Sequence, residues 1–271
     1  MNMTASHSIV TLPCGCFFRG REFVVDSQCT EHRDDDAADE AVFSFEHLSP
    51  RAKENARADY RENGLNYDWW DDVFEDVIRI APMMGIELDL NIERLADGRQ
   101  FHSAAIYFRG FNLQGDGACF TGDWVPVDDP LASLSAVMAH APTDDRLHEI
   151  ALALAHMSER CNALIPGAKV TISRGRSSYC HPYSVDIDVD LPTPDSLDED
   201  NGLQVLTFNA LCRRYGLEYE TFEPEITHWL RTFMDWIYRQ LEAEYDHLTS
   251  DEVVDDMLSD HKFDEEGNIV G

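Results

Sequence analysis

Three cysteines and one histidine near the start of the chain have the types and the spacing of a metal site. Cys14 and Cys16 form a C-x-C pair, and after twelve residues Cys29 and His32 form a C-x-x-H pair. Structural zinc takes four thiolate or imidazole ligands at tetrahedral corners, which leaves no open position for catalysis. We therefore predict a structural zinc ion held by these four residues. The alternative is that the four residues are unrelated.

A β-hairpin is the element that would bring the two pairs together. Strands are expected from Cys16 to Arg19 and from Glu22 to Asp26, with Gly20 in the turn between them. A segment this short cannot bury a core, so a bound metal would supply the missing folding energy. The sequence thus predicts a zinc-binding hairpin module at residues 1–34.

Two later segments alternate aliphatic and polar side chains with a period of two. In the first, Ile86, Leu88, Leu90 and Ile92 alternate with Glu87, Asp89, Asn91 and Glu93; in the second, Val185, Ile187, Val189 and Leu191 alternate with Ser184, Asp186, Asp188 and Asp190. This period predicts two strands that each bury one face. If both lie in one antiparallel sheet with helices on its apolar face, the acidic side chains share the opposite face.

That shared face is the candidate partner-binding surface, with Glu87, Asp89, Asp186, Asp188 and Asp190 as its residues. Like charges on neighbouring strands cost stability, so a basic partner or a cation would relieve them. Neither segment has the loop signature of a calcium site. The alternative is a solvated face whose carboxylates are spread apart.

A glycine-rich stretch from residue 106 to residue 122 is a third candidate. Four glycines fall within its last thirteen residues, which indicates main-chain geometry that other residues do not readily adopt. We expect a central hairpin of the sheet, with Gln114, Gly115, Asp116 and Gly117 in its loop. Asp116 could be a ligand or an acid, or it could bond the amides of its own loop, as aspartate often does in turns.

Groups suited to catalysis are scarce. Cys180, His181 and Asp116 are the only ones on predicted turns that we would test. Adjacent side chains on an extended chain point to opposite faces, so Cys180 and His181 make a poor pair of nucleophile and base. The sequence has no phosphate loop, hydrolase elbow or cofactor fingerprint. Enzymatic activity is therefore the least favoured of the functions considered.

The net charge of the chain is unusually negative for a protein of this length. There are 21 Lys and Arg against 52 Asp and Glu, and 21 − 52 gives −31. Such a surface repels the phosphates of nucleic acids and of anionic lipids, and we find no basic patch to overcome this. It attracts basic surfaces, including the nucleic-acid-binding grooves of other proteins. The alternative is that the acidity serves only solubility or salt tolerance.

Composition also bounds the class of protein. A hydrophobic share of 44%, with 5 Trp, 9 Tyr and 14 Phe, predicts a folded globular chain rather than a disordered one. No apolar run is long enough to span a bilayer, and the N-terminus lacks the features of a signal peptide. We therefore expect a cytoplasmic protein, in which an odd number of cysteines, 7, argues against a disulfide framework.

Hydrophobic periodicity and turn residues predict an α+β fold. The expected architecture is an antiparallel sheet of about four to six strands with helices packed on one face, preceded by the zinc hairpin. Helices are expected at residues 49–64, 67–81, 144–165, 201–215 and 225–248, and strands at 86–93, 101–111, 168–173 and 183–191. The predicted divisions are a hairpin module (1–34), an acidic linker (35–47), a main domain (48–248), and an acidic C-terminal helix and tail (249–271) that frays from Asp255.

The glycine-rich stretch also carries a resemblance. Residues 109–120 read R-G-F-N-L-Q-G-D-G-A-C-F, and this run resembles the S-G-F-x-S-Q-G-D-G-A-x-F core of a group of uncharacterised bacteriophage and prophage proteins, some labelled antitoxin-like. The likeness extends over L-S-P-R-A-K-E-N-A-R from Leu48, Y-D-W-W from Tyr67 and F-M-D-W-I-Y-R-Q-L-E-A-E-Y from Phe233. Arg109 and Leu113 depart from the pattern, which has serine there. The resemblance implies a phage origin, and the C-x-C and C-x-x-H array resembles zinc hairpins of other bacterial and phage proteins.

Three functions follow from these observations. The first is an acidic phage accessory protein that binds and inhibits a basic host protein, such as a defence protein, by covering a nucleic-acid-binding surface. The second is an antitoxin-like or regulatory protein that neutralises a cognate partner, which rescue of a neighbouring toxic gene on co-expression would reveal. The third is an enzyme. Direct binding of nucleic acid or membrane is not expected.

Overall fold

The computed structural model describes residues 9–11, 17–19, 22–24, 42–94, 98–176, 178–191 and 209–270. The chain divides into two compact units, and each is described by itself. Unit one comprises Met1–Gly64 together with Asp251–Gly271, and unit two comprises Leu65–Ser250.

The helices are α1 (Pro50–Asn63), α2 (Asp71–Ile80), α3 (Pro130–His140), α4 (Asp145–Leu164), α5 (Tyr219–Leu248) and α6 (Asp251–Leu258). Residues 209–214 are also helical, and Phe45–His47 and Ala81–Met84 form short 3-10 helices. No helix in the described ranges is long and apolar enough to cross a membrane.

The strands are β1 (Ile9–Thr11), β2 (Phe17–Arg19), β3 (Glu22–Val24), β4 (Phe43–Ser44), β5 (Ile86–Leu88), β6 (Leu90–Arg94), β7 (Gln100–Ala104), β8 (Ile106–Arg109), β9 (Gly117–Phe120), β10 (Gly122–Trp124), β11 (Lys169–Arg174), β12 (Val185–Asp190) and β13 (Lys262–Phe263). In unit one, β1, β2 and β3 form a three-stranded antiparallel sheet. The predicted zinc ligands Cys14, Cys16, Cys29 and His32 all lie outside the described residues.

The C-terminal segment of unit one is folded back onto α1. Strand β13 pairs with β4, and the side chains of Val254, Leu258 and Phe263 are fully buried. Arg57 of α1 donates to both carboxylate oxygens of Asp255 in α6, at 2.6 and 2.7 Å. The expectation that the chain frays from Asp255 is therefore wrong. The segment is acidic overall, but these three apolar side chains are buried and hold it in the fold.

Unit two contains an antiparallel sheet of four strands in the order β12-β11-β10-β5. The α+β class and the antiparallel sheet are as predicted. The two alternating segments supply its two edge strands, β5 and β12. On one face, Ile86, Trp124 and Val170 are fully buried and belong to one cluster with side chains of α4 and α5. Helices therefore cover the apolar face, which leaves the acidic face open.

Helix boundaries follow local capping chemistry. The Ser49 hydroxyl accepts a hydrogen bond from the Ala52 amide at 3.2 Å, and the Asp144 carboxylate accepts one from the Leu147 amide at 2.8 Å. Helix α3 was not predicted, since Pro126 and Pro130 indicate irregular chain after Gly122. Asp129 caps it by accepting from the Ala132 amide at 3.0 Å, and a proline in its first turn needs no hydrogen-bond partner.

Three main-chain hydrogen bonds form a ring where the strands exchange partners. The amide of Asp89 donates to Thr121, that of Thr121 donates to Ala105, and that of Ala105 donates to Asp89, at 2.9, 3.0 and 2.8 Å. Strand β5 pairs with β10 before this ring, whereas β6 pairs with β7 and β8 with β9 beyond it. We call this ring the three-strand junction.

The junction corrects two expectations. Residues 86–93 and 101–111 were each predicted to form one strand, but each breaks at the junction into two strands with different partners. Leu90 and Ile92 were expected to be buried, yet they are 63% and 58% exposed. The reason is that β6 and β7 pair with each other in a two-stranded ribbon outside the four-stranded sheet.

Candidate functional site

The open face of the sheet carries a row of polar side chains that crosses all four strands. Glu87 of β5 lies opposite Asp123 of β10, and Asp123 lies opposite Thr171 of β11. Thr171 in turn lies opposite Asp188 of β12. Because side chains alternate between faces along a strand, all four residues of this row point away from the buried cluster.

Two further acidic positions on β12 lie on the same face. Asp186 is paired with Ser173, and Asp190 is paired with Lys169. Asp89 follows directly after β5, and its main chain belongs to the three-strand junction. The five predicted carboxylates, Glu87, Asp89, Asp186, Asp188 and Asp190, are all exposed. The sheet therefore brings them to one surface, which we call the acidic face.

Lys169 is the cation of the acidic face. Its ammonium nitrogen lies 2.9 Å from Asp123, whose carboxylate also accepts a hydrogen bond from the Thr171 hydroxyl at 2.8 Å. Partial burial raises the pKa of Asp123, but the hydrogen bonds from Lys169 and Thr171 outweigh this and leave it below its ordinary value. The hydrogen bond with Asp123, and then Glu87 and Asp89, raise the pKa of Lys169.

The acidic face is too spread out to be a single metal site. Its two edge strands are three strand spacings apart, or about 14 Å, which far exceeds the reach of ligands that share one ion. Within the ranges that the structure describes, no group of three or more His, Cys, Asp or Glu side chains is placed to hold a metal ion. The arrangement suits contact with an extended basic surface.

The glycine-rich stretch forms a hairpin of β8 and β9, but this is not the central hairpin of the main sheet that the sequence predicts. Strands β8 and β9 form a separate two-stranded sheet, and β10, which follows them, joins the four-stranded one. One oxygen of Asp116, Oδ2, accepts hydrogen bonds from the amides of Asn112 and Leu113 at 2.9 and 2.7 Å. Asp116 therefore bonds the amides of its own loop. The other oxygen, Oδ1, is buried without a hydrogen-bond partner among the described residues and lies 3.7 Å from the Nε of Arg109. Gln114 is exposed.

The same loop packs against residues 178–184. Gly117 has a φ of 151°, and a Cβ added to it would lie 2.7 Å from the main-chain oxygen of Cys180. The amide of Cys180 donates to the main-chain oxygen of Gly115 at 3.0 Å. Only glycine allows the two loops to approach this closely.

Cys180 and His181 have separate partners at this contact. The Sγ of Cys180 accepts a hydrogen bond from the Arg174 guanidinium at 3.2 Å, whereas the Nδ1 of His181 accepts one from the amide of Tyr183 at 3.1 Å. Burial raises the pKa of the neighbouring Cys119 thiol to about 11, which disfavours its thiolate.

Comparison with known protein families places most of unit two in one family. Residues 69–251, about two thirds of the chain, match the family described as Domain of unknown function (DUF8835). The chain belongs to the DUF8835 family. No curated protein and no solved structure matches the chain.

The DUF8835 region contains both the acidic face and the hairpin loop, and the predicted zinc ligands precede it. Three of the motif segments quoted from the sequence contact one another inside this region. Phe111 of the loop contacts the rings of Trp69, Tyr238 and Tyr245, with ring centroids 6.2, 5.5 and 5.1 Å away. This aromatic contact fixes the loop against α5.

Sequence reasoning missed two members of the acidic face, Asp123 and Lys169. Asp123 lies on the three-residue strand β10 beside Gly122, where alternation is too brief to define a face. Lys169 lies on the six-residue strand β11, and only the order of the strands places it beside Asp123. It also missed that Arg109 and Arg174 flank the loop contact. The Arg174 guanidinium stacks 4.4 Å from the centre of the Tyr107 ring. No sequence pattern links residue 109 to residue 174, so only the fold could reveal this.

Proposed function

We propose that this DUF8835 protein is an acidic, phage-encoded accessory protein that acts in the host cytoplasm by binding and inhibiting a basic host protein. The acidic face would cover a surface with which the partner binds nucleic acid. The protein itself would contact neither nucleic acid nor membrane. The observation that carries the proposal is the common orientation of the carboxylates on one open sheet face.

The balance of charge on the acidic face supports this proposal. Lys169 forms an ion pair with Asp123, which is only one of the acidic side chains on the face. None of Glu87, Asp89, Asp186, Asp188 or Asp190 has an ion pair within 4.0 Å among the described residues. Lys169 is a cation near Glu87 and Asp89, but its ion pair is with Asp123. The five carboxylates are therefore available to a basic partner and repel one another until it binds.

The spacing of the charges also supports an extended partner. Alternate residues of a strand are about 6.7 Å apart, so Asp186, Asp188 and Asp190 form a regular line of charge. A net charge of −31 adds a long-range field that speeds encounter with a basic protein and that salt screens. A line of negative charge is also what a nucleic-acid-binding groove is built to hold.

The test compares two variants with the same change in charge. The face variant carries Asp186→Asn, Asp188→Asn and Asp190→Asn, and the control carries Asp246→Asn, Asp256→Asn and Asp260→Asn at exposed helical or turn positions. Each protein captures partners from a bacterial host lysate, and captured proteins are identified by mass spectrometry. Binding of each candidate is then measured at about 50 and 500 mM salt, where screening differs strongly.

We expect wild type and control to retain a basic protein that the face variant loses, with weaker binding at high salt. Added wild-type protein should also displace nucleic acid from that partner. Capture that is indifferent to both salt and the face variant would refute the proposal. Rescue of a toxic neighbouring gene product on co-expression, with no displacement of nucleic acid, would instead favour an antitoxin-like role.

We also propose that Cys14, Cys16, Cys29 and His32 hold one structural zinc ion. The spacing of these ligand types supports this, and the proposal is independent of the acidic face. Metal analysis of the purified protein should give about one equivalent of zinc, because the four ligands form one closed site. Cys14→Ser should lower the zinc content. Less than about half an equivalent, unchanged by Cys14→Ser, would contradict it.

A further inference from the structure

A cleft of about 390 Å³ opens beside the loop hairpin of unit two. Its walls come from the start of α2, from β8 and from the 178–184 loop. The lining residues are Trp70, Phe74, Ile106, Tyr107, Phe108, Arg109, Gly110 and Cys180. A mostly apolar cleft of this size with a few polar groups is typical of sites for small molecules. We call it the Arg109 cleft.

Arg109 is the one charged side chain among these lining residues. Its Nη1 donates to the main-chain oxygen of Ser178 at 3.2 Å, which fixes one edge of the guanidinium. The side chain is 46% exposed, so the rest of the group is accessible. In a protein whose net charge is −31, a cleft with a cationic lining residue and no anionic one is distinctive.

The contact between Arg109 and Asp116 leaves the guanidinium free to engage another anion. The Nε of Arg109 and the Oδ1 of Asp116 are 3.7 Å apart, which is too long for a hydrogen bond. Asp116 is only 6% exposed, and two loop amides hold its Oδ2. Asp116 thus attracts Arg109 without occupying its hydrogen-bond donors.

From these contacts we propose that the Arg109 cleft binds a small ligand in which an aromatic ring carries an oxyanion. Trp70 and Phe74 are partly exposed and offer ring surfaces against which the aromatic part would pack. The guanidinium of Arg109 would bind the carboxylate or phosphate, since its planar donors match two oxygens of such a group. This site is separate from the acidic face and takes a ligand of opposite charge.

Four probes test the pairing of ring and anion by isothermal titration calorimetry of the full-length protein. Adenosine 5′-monophosphate and indole-3-acetate each combine a ring with an anion, and they distinguish phosphate from carboxylate. Adenosine has the ring without the charge, and inorganic phosphate has the charge without the ring. We expect one of the first two to bind at least about tenfold more tightly than adenosine or phosphate.

The matched variants are Arg109→Gln and Arg146→Gln, which remove the same charge. Arg146 is an exposed residue of α4 outside the cleft, paired with Glu149. Arg109→Gln should weaken binding at least about tenfold while Arg146→Gln leaves it unchanged. Arg109→Lys should give an intermediate loss, because lysine keeps the charge but not the planar fork. Circular dichroism confirms that each variant is folded.

Three results would overturn the proposal. They are no saturable binding of either ring-bearing anion up to about 1 mM, equal binding of adenosine or phosphate, and full binding by Arg109→Gln. The outcome is independent of the partner proposed for the acidic face. The face variant keeps Arg109, so it should bind the small anion as wild type does, and Arg109→Gln should still capture the basic protein.

Discussion

The acidic face displays carboxylates from two regularly alternating strands, whereas the Arg109 cleft is assembled from three segments that lie far apart in the sequence. The face is flat, open and negative. The cleft is concave and mostly apolar, and its charged lining residue is positive. The two surfaces would therefore attract different partners, a basic protein and a small anion, from within one unit of the same chain.

The difference shows which surface can be predicted from the sequence alone and which cannot. Period-two alternation in a strand predicts which side chains share a face, and this does not depend on which strands pair with it. The cleft instead depends on main-chain approaches, such as that of Gly117 to Cys180, and on the aromatic packing that fixes Phe111. Substitutions should therefore affect one surface and spare the other, unless they destabilise the fold of unit two, which contains both.

The largest expected effect is on that shared support. Gly122 of β10 has a φ of 148°, and an added Cβ would overlap the main-chain oxygen of Glu87 in β5. Gly122→Ala should lower the free energy of unfolding by about 3 kcal/mol, because an unfavourable φ adds to a main-chain clash. Urea denaturation measures this loss, and binding at both surfaces should weaken with it.

Gly175→Ala is the matched control. A Cβ at Gly175 would have no neighbour within 4 Å, so this change should leave stability almost unaltered. If Gly122→Ala were as stable as Gly175→Ala, the edge strand β5 could move without cost. The acidic face would then be a looser surface than its register implies.

A smaller loss of stability is expected from substitutions in the loop beside the Arg109 cleft. Asp116→Ala removes the acceptor of two loop amides and should cost about 1–2 kcal/mol of stability. Asp116→Asn can place its carbonyl oxygen where Oδ2 accepts those bonds, so it should retain most of that stability. Neither change should alter capture by the acidic face. The measurements are urea denaturation and the capture assay.

Asp116→Asn also distinguishes two roles of Asp116, which are to hold the loop amides and to attract the Arg109 guanidinium. It leaves Arg109 without its nearest carboxylate, so a stable Asp116→Asn protein tests whether that charge positions the guanidinium. Unchanged ligand binding would assign Asp116 to loop structure alone. Loss of capture by the acidic face in this variant would contradict the separation of the two surfaces.

Much of the fold could be predicted because helix caps and alternation are local. Ser49 and Asp144 begin helices where the sequence predicts them, and β5 and β12 both lie in the four-stranded sheet. The three-strand junction could not be predicted, since main-chain hydrogen bonds decide it and every non-proline residue can form them. This is why Leu90 and Ile92 continue the alternation of β5 and yet lie on an exposed ribbon.

The candidate sites divide in the same way. The five carboxylates of the acidic face follow from alternation, but the pairing of Lys169 with Asp123 requires the order of the strands. The Arg109 cleft depends on long-range packing. The loop beside it could therefore be predicted from the sequence, but the cleft could not. Helix α3 was missed for a different reason, because the proline that begins it also predicts irregular chain.

The smallest effects should arise within one row of the acidic face. Asp123 has Lys169 and Thr171 as partners, so Asp123→Asn should lose about 1 kcal/mol of stability. Asp188 lies in the same row with acidic neighbours two residues away on each side. Asp188→Asn should therefore keep full stability or gain up to about 0.5 kcal/mol. Urea denaturation at neutral pH compares the two.

The stabilities of Asp123→Asn and Asp188→Asn should also depend differently on pH. The folded-state pKa of Asp123 lies below its ordinary value of 3.8, so its stabilising effect is present above that value and is lost as the pH falls through the folded-state pKa. The deficit of Asp123→Asn relative to wild type should thus shrink as the pH is lowered below about 4. Equal losses from Asp123→Asn and Asp188→Asn at neutral pH would mean that both carboxylates have stabilising partners. Asp188 would then not be an unpaired charge, and it would not be available to a basic protein.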